Sequence, residues 1–216
     1  MKIFYQDSDI IVCEKEYGVS SQKSDGANML DMIKEATGAE AFPVHRLDIT
    51  TSGIMVYALN QKSAAALSAQ IQAGEFKKSY LAIVHGATED EGEMTDLLYH
   101  DRLKNKSFVV KTKRQGAKEA RLDFNTLQRT KIGENELSLV HIRLHTGRTH
   151  QIRVQFSSRS HSLYGDGKYG AHDNAKIALY SHSIEFLHPK TKKSMYFDAL
   201  PTGDIWDEFA SIPKAL

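Results

Sequence analysis

One cysteine, one tryptophan and four prolines are all that this 216-residue chain holds of those residue types. A lone Cys13 excludes an intrachain disulfide and fits a reducing compartment. Set in the apolar run Ile10-Ile11-Val12-Cys13, it reads as a small core residue rather than a nucleophile. So few prolines, with no low-complexity tract, argue against long disorder. No apolar run approaches the roughly 20 residues of a membrane-spanning helix. The opening Met1-Lys2-Ile3-Phe4-Tyr5-Gln6-Asp7 turns acidic too early for a secretory signal, so the cytoplasm is the expected compartment. Charge of one sign is also scarce: 28 Lys and Arg stand against 27 Asp and Glu, a net +1. What is present is ordinary for a globular protein, 41% hydrophobic and 25% charged, and the length fits one domain.

The near-zero total hides an uneven distribution. From Asp101 to Arg121 eight basic residues meet only two acids, Asp101 and Glu119. Just upstream lie Glu89, Asp90, Glu91, Glu93 and Asp96. A bipolar surface of this kind can attract a phosphate backbone on one side; a solvated hairpin with scattered lysines would look the same.

Periodicity and punctuation give a coarse layout. Tyr5 to Lys15 reads as a strand with a turn at Gly18. Met29 to Ala36 has helical spacing, capped by Asn28 and stopped by Gly38. Ile54 to Leu59 is a strand, and Asn60 caps an alanine-rich helix through Lys62 to Ala73 that Gly74 ends, with Leu67 and Ile71 as its inward stripe. Ser79 to Val84 is a strand. Ser107 to Thr112 and Ala120 to Leu127 look like two arms of a ribbon carrying the basic cluster. Leu137 to Leu144 alternates as a strand, a short helix follows the Thr146-Gly147-Arg148 turn, and strands at Ile177 to Phe186 and Ser194 to Asp198 precede a short helix at Ile205 to Phe209. Strands outnumber helices and many connections are of hairpin length. That argues for an α+β domain with a mixed, mainly antiparallel sheet rather than a doubly wound one.

Three segments can carry chemistry. In Pro43-Val44-His45-Arg46-Leu47-Asp48-Ile49-Thr50-Thr51-Ser52-Gly53, a carboxylate sits beside an arginine and a histidine in a polar loop feeding an apolar strand. Arg46 can hold Asp48 ionised, and an ionised aspartate can attack an electrophilic carbon or take a proton; a turn aspartate closing its own loop is the plain alternative. Tyr80, in Phe76-Lys77-Lys78-Ser79-Tyr80-Leu81-Ala82, is a strand aromatic that can either pack or stack on a base. In Leu144-His145-Thr146-Gly147-Arg148-Thr149-His150-Gln151-Ile152-Arg153-Val154, a turn bearing Arg148 precedes a helix start suited to an anion, and Arg153, one turn on, can face inward. Two further patterns mislead. Gly165-Asp166-Gly167-Lys168-Tyr169-Gly170 fits G-x-G-x-x-G but has no βαβ unit around it. His141, His145, His150 and His161 lack the spacing and the accompanying carboxylates or cysteines of a metal site, and His141 and His145 on one strand face would stand roughly 13 Å apart. No metal is expected.

The strings HRLD with TSG, Lys-x-Tyr-x-Ala, TGRTHQIRV and GD-x-x-YG together resemble the RluA-type pseudouridine synthases, which convert a uridine within RNA into its C-glycoside isomer. The likeness extends over most of the chain, from the opening Ile3–Val12 strand to the Ser181–Pro189 strand and HP turn. It departs at Glu14-Lys15-Glu16-Tyr17-Gly18, where the family usually has Asn-Lys-Pro-x-Gly. The resemblance implies Asp48 as the essential acid, as nucleophile or as proton acceptor. It also implies Tyr80 stacking on the flipped uracil near C5 and Arg153 as basic partner of the aspartate, although residue types alone leave Arg148 eligible for that pairing. His45, Arg46, Thr51, Arg148 and His150 would contact substrate. Ribosomal or transfer RNA is the implied partner, with no cofactor, and a monomer is expected. The implied fold is a single catalytic domain over residues 1–216, with the small N-terminal RNA-binding domain of many members absent and the 101–121 ribbon left to grip RNA. A non-catalytic RNA-binding protein on the same scaffold would have no need of Asp48, Tyr80 and Arg153 together. A glycosidase would need a second carboxylate in a comparable motif.

Overall fold

The computed structural model describes residues 1–209. The first half of the chain runs β1 (Ile3–Gln6), β2 (Ile10–Lys15), α1 (Met29–Thr37), β3 (Phe42–Pro43), β4 (Ser52–Ala58), α2 (Gln61–Ala73), β5 (Lys77–His85) and β6 (Glu91–Asp101). It continues through β7 (Lys106–Val110), β8 (Ala117–Ile132), β9 (Asn135–Leu144), α3 (Gln151–Ser157), β10 (Leu179–Leu187) and β11 (Ser194–Asp198), with single 3₁₀ turns at Gly167–Tyr169 and Asp204–Glu208. It divides into two compact units, Met1–Ser79 with Tyr180–Pro201, and Tyr80–Leu179 with the segment from Thr202.

Both long helices are bounded by local chemistry. The Asn28 side chain accepts from the Asp31 amide and the Asn60 side chain from the Ser63 amide, while Gly38 and Gly74 close the two helices in the left-handed region at φ 74°. In the first unit the strand order is β1-β2-β4-β10, with β3 on β4 and β11 on β10. All these pairs are antiparallel except β4 with β10, which makes the sheet mixed. Leu67 of α2 is fully buried with Ile54, Val56, Phe76 and Phe186, and Ile71 packs against the same cluster. The expected single strand from Tyr5 to Lys15 is instead a hairpin. Asp7 breaks it, because its carboxylate takes the amides of Asp9 and Ile10 at 2.8 and 2.9 Å and turns the chain.

In the second unit β9-β8-β6-β7 is an antiparallel run of four strands with a bulge between Thr126 and Gln128. The expected two-armed ribbon does not form: its arms do not pair with each other, because β6 lies between them, joined to β7 on one edge and β8 on the other. Three acids of the 89–96 stretch are neutralised at once, Asp90 by Arg129, Glu93 by Arg121 and Asp96 by Arg159, at 2.7, 2.9 and 2.9 Å. The acidic segment thus leads into strand β6, with three of its five acids in ion pairs. On β9 every residue from Leu137 to Ile142 is buried, so its alternation separates two covered faces rather than core from solvent.

Candidate active site

In the first unit, Asp48 occupies the loop between β3 and β4, partly exposed, and its carbonyl accepts from the Thr51 amide at 3.0 Å to close a turn. Leu47 and Thr51 are buried on either side of it, and the Ser21 hydroxyl donates to the Leu47 carbonyl at 3.0 Å. Gly53 ends the loop at φ 120°, where a Cβ would overlap the Ser181 carbonyl of β10, so only glycine fits. Beneath the loop, at the end of β2, lies Lys15 with no exposed surface. Its ammonium donates to the carbonyls of Val19, Glu16 and Ile49 at 2.7, 3.0 and 3.3 Å. Burial pushes its pKa down to about 8, and the negative charge of Asp48 pulls the other way. A buried cation thus underlies the acid. One hint of it was legible beforehand, the lysine aligned with the family's Asn-Lys-Pro-x-Gly.

His45 goes inward. Its ring lies 5.4 Å from that of Phe76, its Nε2 accepts from the Val56 amide at 3.2 Å, and burial, with the charge of Lys78 adding to it, lowers its pKa to about 3. A neutral ring pinned to β4 anchors the loop from behind. Arg46 points to solvent.

In the second unit, Tyr80 is nearly buried on β5 and Arg153 nearly buried on α3. Arg153 makes a two-pronged ion pair with the fully buried Asp166, Nε to Oδ2 at 2.6 Å and Nη2 to Oδ1 at 2.8 Å. Asp166 stands in the loop whose glycine pattern mimics a dinucleotide motif. Gly165 there has φ 78°, and a Cβ would overlap the Lys176 carbonyl. The loop's use is now clear: its glycine allows the tight turn that brings Asp166 onto Arg153. The guanidinium also lies 5.1 Å from the Tyr169 ring centre. The Tyr169 hydroxyl accepts from the Ser107 amide at 2.8 Å and lies 3.0 Å from His150 Nδ1. His150 is buried and precedes α3 at φ 54°, a strained start for a non-glycine residue. Arg148, by contrast, is exposed, its Nε donating to the Glu119 carbonyl at 2.8 Å. Burial and pairing therefore set Arg153 and Arg148 apart. Asp166 and Tyr169, which hold Arg153 in place, are residues that spacing alone did not single out.

Among the described residues Asp7, Asp9 and His188 come within 4.8 Å of one another, close enough for a cation. Their atoms are engaged in the fold: His188 Nε2 meets Asp7 Oδ2 at 2.8 Å, and Asp9 Oδ1 accepts from Asn60 and Ser63 at 3.1 and 3.0 Å. Burial alone would raise the Asp7 carboxyl, but the Asp9 and Ile10 amides, with Tyr5 and His188, bring it below its ordinary value.

Residues 9–158 match the family model described as RNA pseudouridylate synthase. A tRNA pseudouridine synthase C of Haemophilus ducreyi is 30% identical, over 93% of this chain and 90% of that protein. A ribosomal large subunit pseudouridine synthase C of Buchnera aphidicola is also 30% identical, over 92% of this chain, which spans only 66% of that relative's length. In fold, the chain superposes on human RNA pseudouridylate synthase domain containing 1 with a TM-score of 0.80 at 22% identity, covering 93% of this chain and 83% of that one. The motifs quoted at the outset and the mixed, mainly antiparallel sheet agree with these likenesses, and the chain belongs to the RNA pseudouridylate synthase family, in its RluA-type branch.

Proposed function

We propose that the protein isomerises specific uridines in ribosomal or transfer RNA, with Asp48 as the essential acid and residues 1–216 acting as one catalytic domain. The observation that supports this best is the loop of Asp48. Asp48 is a partly exposed residue of a polar turn, built over the buried ammonium of Lys15 and fixed by Gly53, in the motif that the family resemblance marks as catalytic. The reaction breaks the N1–C1′ bond, turns the uracil, forms C5–C1′, releases the C5 proton and protonates N1. Atoms and electrons balance without an oxidant or cofactor. Asp48 acts either as nucleophile at the sugar or as base toward a ribose proton. Tyr80 stacks on the uracil and assists at C5, and Arg153, kept in place by Asp166, supplies positive charge toward the aspartate. Arg46, Thr51, Arg148 and His150 bind the RNA around the target, and His45 serves binding by holding the loop.

An unpaired loop uridine costs least to flip and is the expected target. Among the described residues no helix is long and apolar enough to cross a membrane, and the buried, unpaired Cys13, its pKa pushed up to about 12 by burial, suits a reducing cytoplasm. A monomer is the working state of this reading. Carbodiimide mapping tests the substrate. Unmodified ribosomal and transfer RNA transcripts incubated with the protein are expected to gain alkali-resistant adducts at one or a few loop uridines. Adducts spread over paired and unpaired uridines alike would overturn the specificity.

A further inference from the structure

In the second unit, the β6–β7 turn, the start of β8 and the Gly147–Thr149 turn enclose a groove of ≈ 650 Å³, the size of a small-ligand pocket. Tyr99 lines it, and the Arg114 guanidinium lies 3.6 Å from the centre of that ring. A cation so placed covers the ring and, being planar and exposed, offers a flat face of its own. Arg102, Lys118 and Arg148 line the same groove, all exposed. The lining carboxylate, Asp101, is turned onto its own chain, accepting from the Leu103 and Lys104 amides at 3.0 and 3.1 Å. Leu103, at the lip, is 100% exposed, an apolar side chain held in water between two cations. The floor joins the buried network: His100 Nδ1 is 3.2 Å from the Ser107 hydroxyl, which donates to the Thr149 carbonyl at 2.6 Å. The Ser107 amide donates to Tyr169, whose ring faces Arg153.

We propose that this groove binds one or two unstacked nucleotides of the RNA strand that flanks the target uridine. A base lies on the Tyr99–Arg114 plane against Leu103, and its phosphates meet Arg102, Lys118 and Arg148. Flat and apolar surface interleaved with cations matches the base–phosphate alternation of a single strand; an acidic peptide would use the cations and leave the aromatic plane idle. The inference rests on the synthase reading, because it takes the occupant to be the same RNA that undergoes isomerisation.

The probe is a short fluorescein-labelled oligoadenylate, which carries no uridine and so reports the groove apart from the reaction. Its anisotropy is measured with the full chain. Tyr99→Ala and the exposed charge reversal Lys118→Glu are each expected to weaken binding about tenfold or more, and Tyr99→Phe to restore it. On an RNA substrate the same losses fall on KM more than on kcat. Three outcomes overturn the groove: no oligoadenylate binding by the wild type, Tyr99→Ala binding as well as wild type while folded, or displacement of the probe by polyglutamate as effectively as by unlabelled RNA. Binding that depends on Tyr99 in a protein that modifies no RNA would sustain the groove and sink the synthase reading instead. Modification whose KM ignores Tyr99 and Lys118 would do the reverse.

Discussion

Lys15 is the residue on which the loop of Asp48 rests, and its protonation is measurable. Burial sets its folded pKa near 8, below the ordinary lysine value. The unfolded chain therefore holds more protons between about pH 8 and 10.4. The penalty for burying the ammonium is complete below pH 8 and is relieved as pH rises through that window, so this group's contribution to stability improves there. A ¹³Cε titration is expected to give Lys15 a midpoint near 8, moving lower in Asp48→Asn, where the opposing negative charge is gone. A midpoint at the ordinary lysine value, or no shift in the variant, would contradict the pairing of cation and acid. Asp166→Ala removes the buried carboxylate that grips the Arg153 guanidinium at two points and is expected to cost about 3 kcal/mol in denaturant unfolding. At this scale the sequence was informative where the motif is contiguous. His45, Arg46 and Asp48 are read off one loop, yet adjacency could not tell that His45 turns inward while Arg46 turns out. Lys15 and Asp166 lie more than 30 and more than 10 positions from the groups they serve, and only folding brings them there.

At the scale of elements, the helices were legible because their signals are local. Asn28, Asn60, Gly38 and Gly74 act within a turn of the backbone they cap. The misreadings came from strands whose partners decide their character. The acids at and before the start of β6 look like a solvated stretch, and their arginine partners, Arg121 and Arg129 on β8 and Arg159 just past α3, are remote in sequence. The Tyr5–Lys15 run looked continuous because the Asp7 turn is an aspartate bonding its own backbone, a feature that composition does not display. The loop-to-strand joint at Gly53 makes a sharper prediction. Gly53→Ala forces a strained φ and an overlap with Ser181, and is expected to destabilise the chain by at least about 2 kcal/mol. It should also lower activity more than stability alone explains, since the Asp48 loop must shift. An unchanged melting temperature would show that β4 and β10 are not joined so closely.

Across the whole molecule, a net charge of +1 conceals a cationic region that the β6 acids do not cancel. Asp90, Glu93 and Asp96 are held in local ion pairs, and the β6–β7 turn with the start of β8 keeps its lysines and arginines toward solvent. RNA affinity is accordingly expected to fall with salt, and Lys118→Ala to reduce the slope of log affinity against log salt by about 0.7, the share of one phosphate contact on a single strand. An unchanged slope would remove Lys118 from the interface. The α+β class and the family were legible from motifs strung along nearly the full chain; the groove was not, since the Gly147–Thr149 turn that completes it lies far along the chain from the β6–β8 segment that forms the rest.

The most direct test of Asp48-dependent isomerisation is tritium release from unmodified RNA labelled at uracil C5, because forming the C5–C1′ bond must expel that hydrogen. Wild-type protein is expected to release tritium with multiple turnovers, while Asp48→Asn, folded and still bound to RNA, releases none. Release by both proteins would contradict the role of Asp48, and release by neither, with intact ribosomal and transfer RNA present, would contradict the synthase reading itself.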